Sequence, residues 1–415
     1  MVYGNKNIRY NIDGHHYGLF IREARLRKEL TLAQVASGLC DASFLSKIES
    51  GHASPKKEVL MKVFDKLEIE MPLQGKKCPI RIFRKCLNIS EESAINMKVT
   101  NEMYHHYEIQ LINFFKAVLK NELHEALKMK KLIGRLEGHL HPHEKQLFLF
   151  FCAIYHFKNF EWDKGNKAFK KSNKILRELQ ISDPYLEYFF AQQYFKMKKP
   201  ILGYFHLGNA IEEYNKIYAK NWILKCELLL CEELIKGENF VEASKHLEKI
   251  EFLLDEFENE LYRKEFWSLK GMILERQGKN IQAEEYLLKS IEPVYNDIDE
   301  RCFLNTSRFY YNQANYEKLI KLIEKTDIRF FKQHTKILIE YYYFKATNDS
   351  TDEFESFLQK DAIPFSIREM DSEAVLTYVK ELSKILRHKQ KYKKAADAYL
   401  KWMQFCDKID SIEKF

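Results

Sequence analysis

The sequence predicts an all-α chain, with a small N-terminal bundle of short helices followed by a long array of helix pairs. Three observations carry that expectation. Only 14 Gly and 8 Pro occur in 415 residues, too few for the tight turns of a sheet protein, while Lys, Glu, Leu, Ile, Phe and Tyr dominate. The positive charge is confined to one end. Residues 1–89 hold 16 Lys and Arg against 9 Asp and Glu, and residues 90–415 hold 51 of each. From about residue 90 onward, aromatic-rich amphipathic segments follow one another without strand signal or low-complexity sequence. A chain of this length exceeds one ordinary core, so more than one domain is expected.

In the basic N-terminal fifth, GLFIREARLRKEL (18–30) sets Leu19, Phe20, Ala24 and Leu26 among four cations and reads as an amphipathic helix. Thr31 is a suitable N-cap for LAQVASGL (32–39). Asp41 is placed to cap ASFLSKIES (42–50), with Gly51 as its left-handed stop. Ser54-Pro55 then opens KKEVLMKVFDKL. Several short helices in so few residues form a helix-turn-helix arrangement, whose second helix enters the DNA major groove. Leu45 and Ile48 face inward, leaving Ala42, Ser43, Ser46 and Lys47 as the edge offered to bases. Arg22, Arg25 and Lys28 on the first helix, Gln34 on the next, and Lys56 and Lys57 after the turn are expected to meet phosphates.

These residues carry a specific resemblance. LCDASFLSKIESG is similar to the recognition segment of the lambda-repressor-like (XRE) helix-turn-helix class, in the version used by peptide-pheromone regulators of the PlcR, NprR, Rgg and PrgX type. Many members carry Gln directly after the Thr31 position. Here Leu32 stands there, with Gln34 two residues further on.

The remainder of the chain shows an internal repeat. In WSLKGMILERQGKNIQAEEYLLKS (267–290), the small residues Gly271, Ala283 and Ser290 alternate with the large Trp267, Leu274 and Leu287, in the pattern of a tetratricopeptide (TPR) unit. The small residue of the second helix serves as a ruler. It places Ala126, Gly165, Gly203, Ala243, Ala283, Leu319, Phe357 and Ala395 at spacings of 36–40 residues, with Leu319 and Phe357 the weakest fits. The fold expected is therefore all-α, a lambda-repressor-like helix-turn-helix domain followed by a right-handed TPR-like α-solenoid. Its divisions are 1–72 for the reader, 73–100 for a linker helix region and 101–415 for about eight helix pairs.

The first helices of such an array line a concave groove suited to an extended peptide. By the ruler, its inward positions are Tyr188, Gln192, Lys225, Glu232, Ser268, Glu275, Arg301, Asn305, Arg308, Tyr311 and Asn312. Amide side chains offer donor and acceptor together to a peptide backbone, and Arg308 can take a carboxylate. A reader joined to this array resembles the peptide-sensing regulators grouped as RRNPP, after Rap, Rgg, NprR, PlcR and PrgX. That resemblance implies a cytoplasmic homodimeric transcription factor. It would bind a pseudo-palindromic operator and a short signalling peptide, as in quorum sensing. A Rap-like protein-interaction module and a ligand-independent dimeric repressor remain as alternatives.

Other chemistries find little support. No apolar run reaches the roughly 20 residues of a membrane span, and the N-terminus lacks the apolar core of a secretion signal. The eight cysteines include no CxxC pair, and no Walker loop, HExxH, GxSxG or paired-carboxylate motif occurs. No metal and no cofactor is expected. GHLHPHE (138–144) brings three histidines around Pro142, which is read as an inter-repeat loop.

Overall fold

The computed structural model describes residues 15–50, 52–53, 55–69, 79–99, 106–180, 182–256, 259–292, 299–347 and 352–413. Among the described residues every regular element is helical. The chain forms two compact units, Met1–Tyr185 and Leu186–Phe415.

The first unit opens with α1 (His15–Arg27), α2 (Leu32–Ala36), α3 (Ala42–Glu49) and α4 (Lys57–Leu67). Their core is Ile21, Ala24, Val35, Leu45, Ile48, Val63, Phe64 and Leu67. Thr31 caps α2 through a capping box with Gln34, which satisfies two otherwise orphaned backbone amides. Asp41 has the extended backbone of an N-cap but makes no side-chain cap bond, contrary to its expected role. The proposed stop at Gly51 and cap at Ser54 lie outside the described residues. Gly18 matters by its lack of a side chain: a Cβ there would stand 2.1 Å from the Ile48 carbonyl oxygen.

Next come α5 (Pro79–Ile89) and α6 (Glu91–Ile95), within the span expected to be a linker helix region. They are tied into the helices that follow, which begin with α7 (His106–Leu119), α8 (Leu123–Gly134), α9 (Pro142–Lys158) and α10 (Trp162–Glu178). Phe83 of α5 meets Phe115 and Phe151, which stack on each other at 4.5 Å. The Arg84 guanidinium donates to Asp183 and to the buried Gln146. Phe20 of α1 lies 5.5 Å from Tyr107 of α7, a direct contact between the reader and the first repeat.

GHLHPHE opens α9 as a cap. Glu144 accepts from the His141 amide at 3.1 Å, and His141 Nδ1 accepts from the His143 amide at 3.4 Å. Pro142 occupies the first helical turn, so the helix begins inside the motif rather than after it. Among the described residues no group of His, Cys, Asp and Glu has the arrangement of a metal site.

Further pairs follow. They are α11 (Pro184–Lys196) with α12 (Pro200–Lys216), α13 (Lys220–Lys236) with α14 (Phe240–Glu256), and α15 (Glu260–Arg276) with α16 (Asn280–Ile291). Then come α17 (Glu300–Asn312) with α18 (Tyr316–Lys325), and α19 (Gln333–Ala346) with α20 (Asp352–Phe357). A π-helix (Leu358–Ala362) and α21 (Ile363–Arg368) lead to α22 (Ser372–His388) and α23 (Tyr392–Glu413). All eight ruler residues are buried in the second helix of a pair. A Cβ on Gly165 or Gly203 would stand 2.6 or 2.5 Å from the ring of Phe157 or Phe195, so the small residue there admits an aromatic ring.

The pairs share a second signature. Asn121, Phe160, Lys198, Glu238, Gly278, Ala314 and Gln390 each have positive φ and each lie five residues before a ruler residue. In every case the next amide reaches back to the first helix, from Glu122 N to Ala117 O through to Lys391 N to Leu386 O, at 2.8–2.9 Å. This is the Schellman closure, which reverses the chain between helices. Only one of the seven is glycine. The reversal is therefore held by those bonds and by helix packing, against a left-handed backbone cost at six positions.

Candidate functional site

The reading helix α3 is set by its buried side. Leu45 and Ile48 are fully buried, and Ser43, Ser46 and Lys47 point to solvent as the sequence predicts. Ala42 is half-buried against the domain core, so the exposed edge begins at Ser43. At the far end, the Ser50 hydroxyl donates to the Ser46 carbonyl at 2.9 Å, and His52 Nδ1 lies 2.9 Å from that hydroxyl.

Of the expected phosphate contacts, Arg25 is corrected. It is 9 % exposed and forms a two-pronged ion pair with Glu49, itself 2 % exposed. Nε donates to Oε1 at 2.6 Å and Nη2 to Oε2 at 2.8 Å, while Nη1 donates to the Leu30 carbonyl at 3.0 Å. Glu49 ends α3, where a carboxylate faces the negative end of the helix dipole, and Arg25 offsets it. Arg25 thus holds α1 to the end of α3.

Lys28 reaches Glu68 at 2.6 Å, and Gln34 Oε1 accepts the Thr31 amide at 2.7 Å. Arg22 is half-buried and Lys56 is exposed at the start of α4, while the Lys57 side chain lies outside the described residues.

In the second unit, α13, α15, α17 and α19 adjoin in series, and they carry most of the predicted groove residues. Adjacent first helices are cross-linked at matching heights. Asn305 Nδ2 donates to the Ser268 hydroxyl at 2.9 Å, and Arg308 Nη2 to Asn305 Oδ1 at 3.3 Å. Asn312 Nδ2 donates to Glu275 at 3.1 Å. Tyr311 stacks on Tyr342 of α19 at 4.9 Å. A second group gathers toward α11: Gln192 Nε2 donates to the Tyr188 hydroxyl at 3.0 Å, Tyr188 meets the edge of Trp222, and the Lys225 ammonium sits 4.5 Å over that indole. Glu232 pairs with Lys236 at 2.8 Å within its own helix.

Arg301 is bound to Glu265, a residue missing from the predicted set. Burial pushes the Glu265 carboxyl up to about 7, against the pull of Arg301 and with repulsion from Asp299 and Glu232. The same ruler height that selects Arg301 and Lys225 selects Glu265, so the sequence contained the signal. Tyr342, at the height in the Phe357 repeat that Ser268 holds in its own, is likewise outside the predicted set. Cys231 fills the small position facing Ala243, its thiol 3.5 Å from the Ala243 carbonyl, as core packing requires.

The helix-turn-helix family profile matches residues 21–73. The chain is similar to the transcriptional activator NprA of Geobacillus stearothermophilus, at 20 % identity over 91 % of this chain and all of that protein. Its fold resembles that of NprR in complex with its cognate peptide NprX (TM-score 0.61, 16 % identity, 79 % of this chain and 98 % of that one). It also resembles the apo form of the quorum sensor NprR from B. thuringiensis (TM-score 0.55, 14 % identity, 92 % and 99 %). Among the described residues no helix is long and apolar enough to cross a membrane.

Proposed function

We infer that this chain is a peptide-responsive, DNA-binding transcription regulator of the RRNPP type, acting in the cytoplasm as a homodimer. The observation that carries this reading is the join, in one chain, of two features. One is a reading helix with a solvent-facing Ser43, Ser46 and Lys47 edge. The other is an array of helix pairs whose adjoining first helices present a row of amide and charged side chains. The similarity to NprA, a transcriptional activator, and to peptide-bound NprR supports it.

In this reading α3 lies in the major groove with Ser43, Ser46 and Lys47 toward base edges. Arg22, Lys28 and Lys56 meet phosphates and set position. Two readers on a dimer engage half-sites about one helical turn apart. The row Ser268–Asn305–Arg308, flanked by Glu275–Asn312, binds peptide backbone, and its internal hydrogen bonds exchange for bonds to the peptide. Peptide alters DNA affinity only as far as it prefers one arrangement of the array, typically about 1–3 kcal/mol.

The test separates the two sites. Lys47→Ala should weaken operator binding about tenfold and relax discrimination at the base pair it meets. Asn305→Ala should remove the response to the mature peptide read from a neighbouring short open reading frame, with DNA affinity near wild type. Unchanged operator affinity and sequence discrimination refute the placement of α3, and a full peptide response refutes the groove.

A further inference from the structure

Six of the eight ruler residues are Ala or Gly, but Leu319 in α18 and Phe357 in α20 are large and buried. The second helices there are also irregular. α18 has ten residues and gives way to a 3-10 turn at Ile328–Phe330, and α20 has six and continues into the π-helix. A short second helix cannot cover its neighbour as a seventeen-residue one such as α14 does. Between α18, the 3-10 turn, α19, α20 and the π-helix lies an open pocket of about 530 Å³. It shares no residue with the row that forms the groove.

The lining has two parts. Ile323, Ile339, Phe344 and Phe357 give an apolar wall, with Ile339 fully buried and Phe357 nearly so. Glu340, Glu353 and Asp361 are exposed around it, and no basic residue is part of the lining. The cation facing Glu340 from its own helix, Lys336, donates to the Arg329 carbonyl at 2.7 Å. Partial desolvation and repulsion from Asp361 raise the Glu340 carboxyl above its ordinary range, against the pull of Lys336. Asp361 stands in the π-helix, an irregularity frequent at functional sites. The volume suits a ligand of drug size, and binding cavities of this kind pair apolar walls with a few charged groups.

We propose that this cavity binds a hydrophobic monocation, with its apolar chain against Ile323, Ile339, Phe344 and Phe357 and its ammonium facing Glu340 and Asp361. A neutral chain gains nothing from the carboxylates, and an anion is repelled by them. The site is independent of the peptide groove and stands or falls separately from it.

Octylammonium titrated into the full chain, followed by calorimetry, tests this. Octylammonium should bind, octanol at least tenfold more weakly, and octanoate not at all. The double variant Glu340→Gln/Asp361→Asn changes only exposed groups and should weaken binding about tenfold, the sum expected of two solvent-facing ion pairs. Ser356→Trp fills the cavity and should abolish binding with the helical melt retained. Equal binding of octanol, or indifference to the double variant, overturns the proposal. So does binding that survives Ser356→Trp. If Ser356→Trp fails to fold, the double variant and the octanol control still decide.

Discussion

Arg25→Ala should strongly destabilise the reader rather than remove a DNA contact. Arg25 and Glu49 are 9 % and 2 % exposed and share two hydrogen bonds of 2.6 and 2.8 Å, with a third from Arg25 to the Leu30 carbonyl. Removing the guanidinium leaves a carboxylate in the domain core without a counter-ion, which costs about 3–5 kcal/mol. That is a large share of the roughly 5–15 kcal/mol that stabilises an ordinary domain.

Replacing both partners, as Arg25→Met with Glu49→Leu, removes the unpaired charge and should cost far less. The Leu30 carbonyl loses one donor, worth about 1 kcal/mol. The assay is a thermal melt of each variant together with operator affinity across a salt series. A phosphate contact contributes about 0.9 to the salt slope. The double variant should therefore melt near wild type and keep the wild-type slope. A folded double variant whose slope drops by about one would show that Arg25 does meet phosphate, and would refute the structural role.

Four further outcomes are expected. Gly18→Ala should destabilise the reader by several kcal/mol in a denaturant melt, because its Cβ would meet the Ile48 and Glu49 backbone oxygens at 2.1 and 2.8 Å. Ala314→Gly should stabilise by about 0.5–1 kcal/mol, since Ala314 holds φ +52 in the turn where Gly278 holds +75. Gly278→Ala, with open space around its would-be Cβ, should cost a similar amount for purely conformational reasons. Glu144 is buried beside Glu108, and burial pushes its carboxyl up to about 8 despite bonds from the His141 amide and the Tyr107 hydroxyl. A raised folded value means the unfolded chain releases this proton first. The stability contributed is full below the ordinary 4.5 and is lost as pH rises toward 8, at about 1.4 kcal/mol for each pH interval of one between those values. Glu144→Gln keeps the helix cap and should flatten the melting temperature between pH 5 and 8, which a circular dichroism series checks.

Much of the architecture is written locally. The second-helix small residues found by spacing alone are the ones buried between helices, and Thr31, Leu45 and Ile48 take the roles their neighbours imply. Amphipathic period and caps are properties of consecutive residues, so they survive without the fold. The groove row follows from the same ruler. Its failures are instructive: Glu265 stands at a predicted height but reads as ordinary helix surface until Arg301 of the next helix is beside it.

Local sequence determined that this chain is helical, where its pairs turn, and which helix offers a polar edge beside a basic first helix. Tertiary structure alone decided what the charges do. Arg25 looks like any cation of a basic helix, and only the approach of Glu49, 24 residues away, turns it inward. GHLHPHE looks like a cluster of ligands, and only the start of α9 makes it a cap over a buried carboxyl. The pocket lined by Phe357 likewise forms only where residues from 323 to 361 are brought together, which no local stretch of sequence shows. A side chain's charge is set by its chemistry, but its partner, its burial and hence its energy depend on residues distant in the chain.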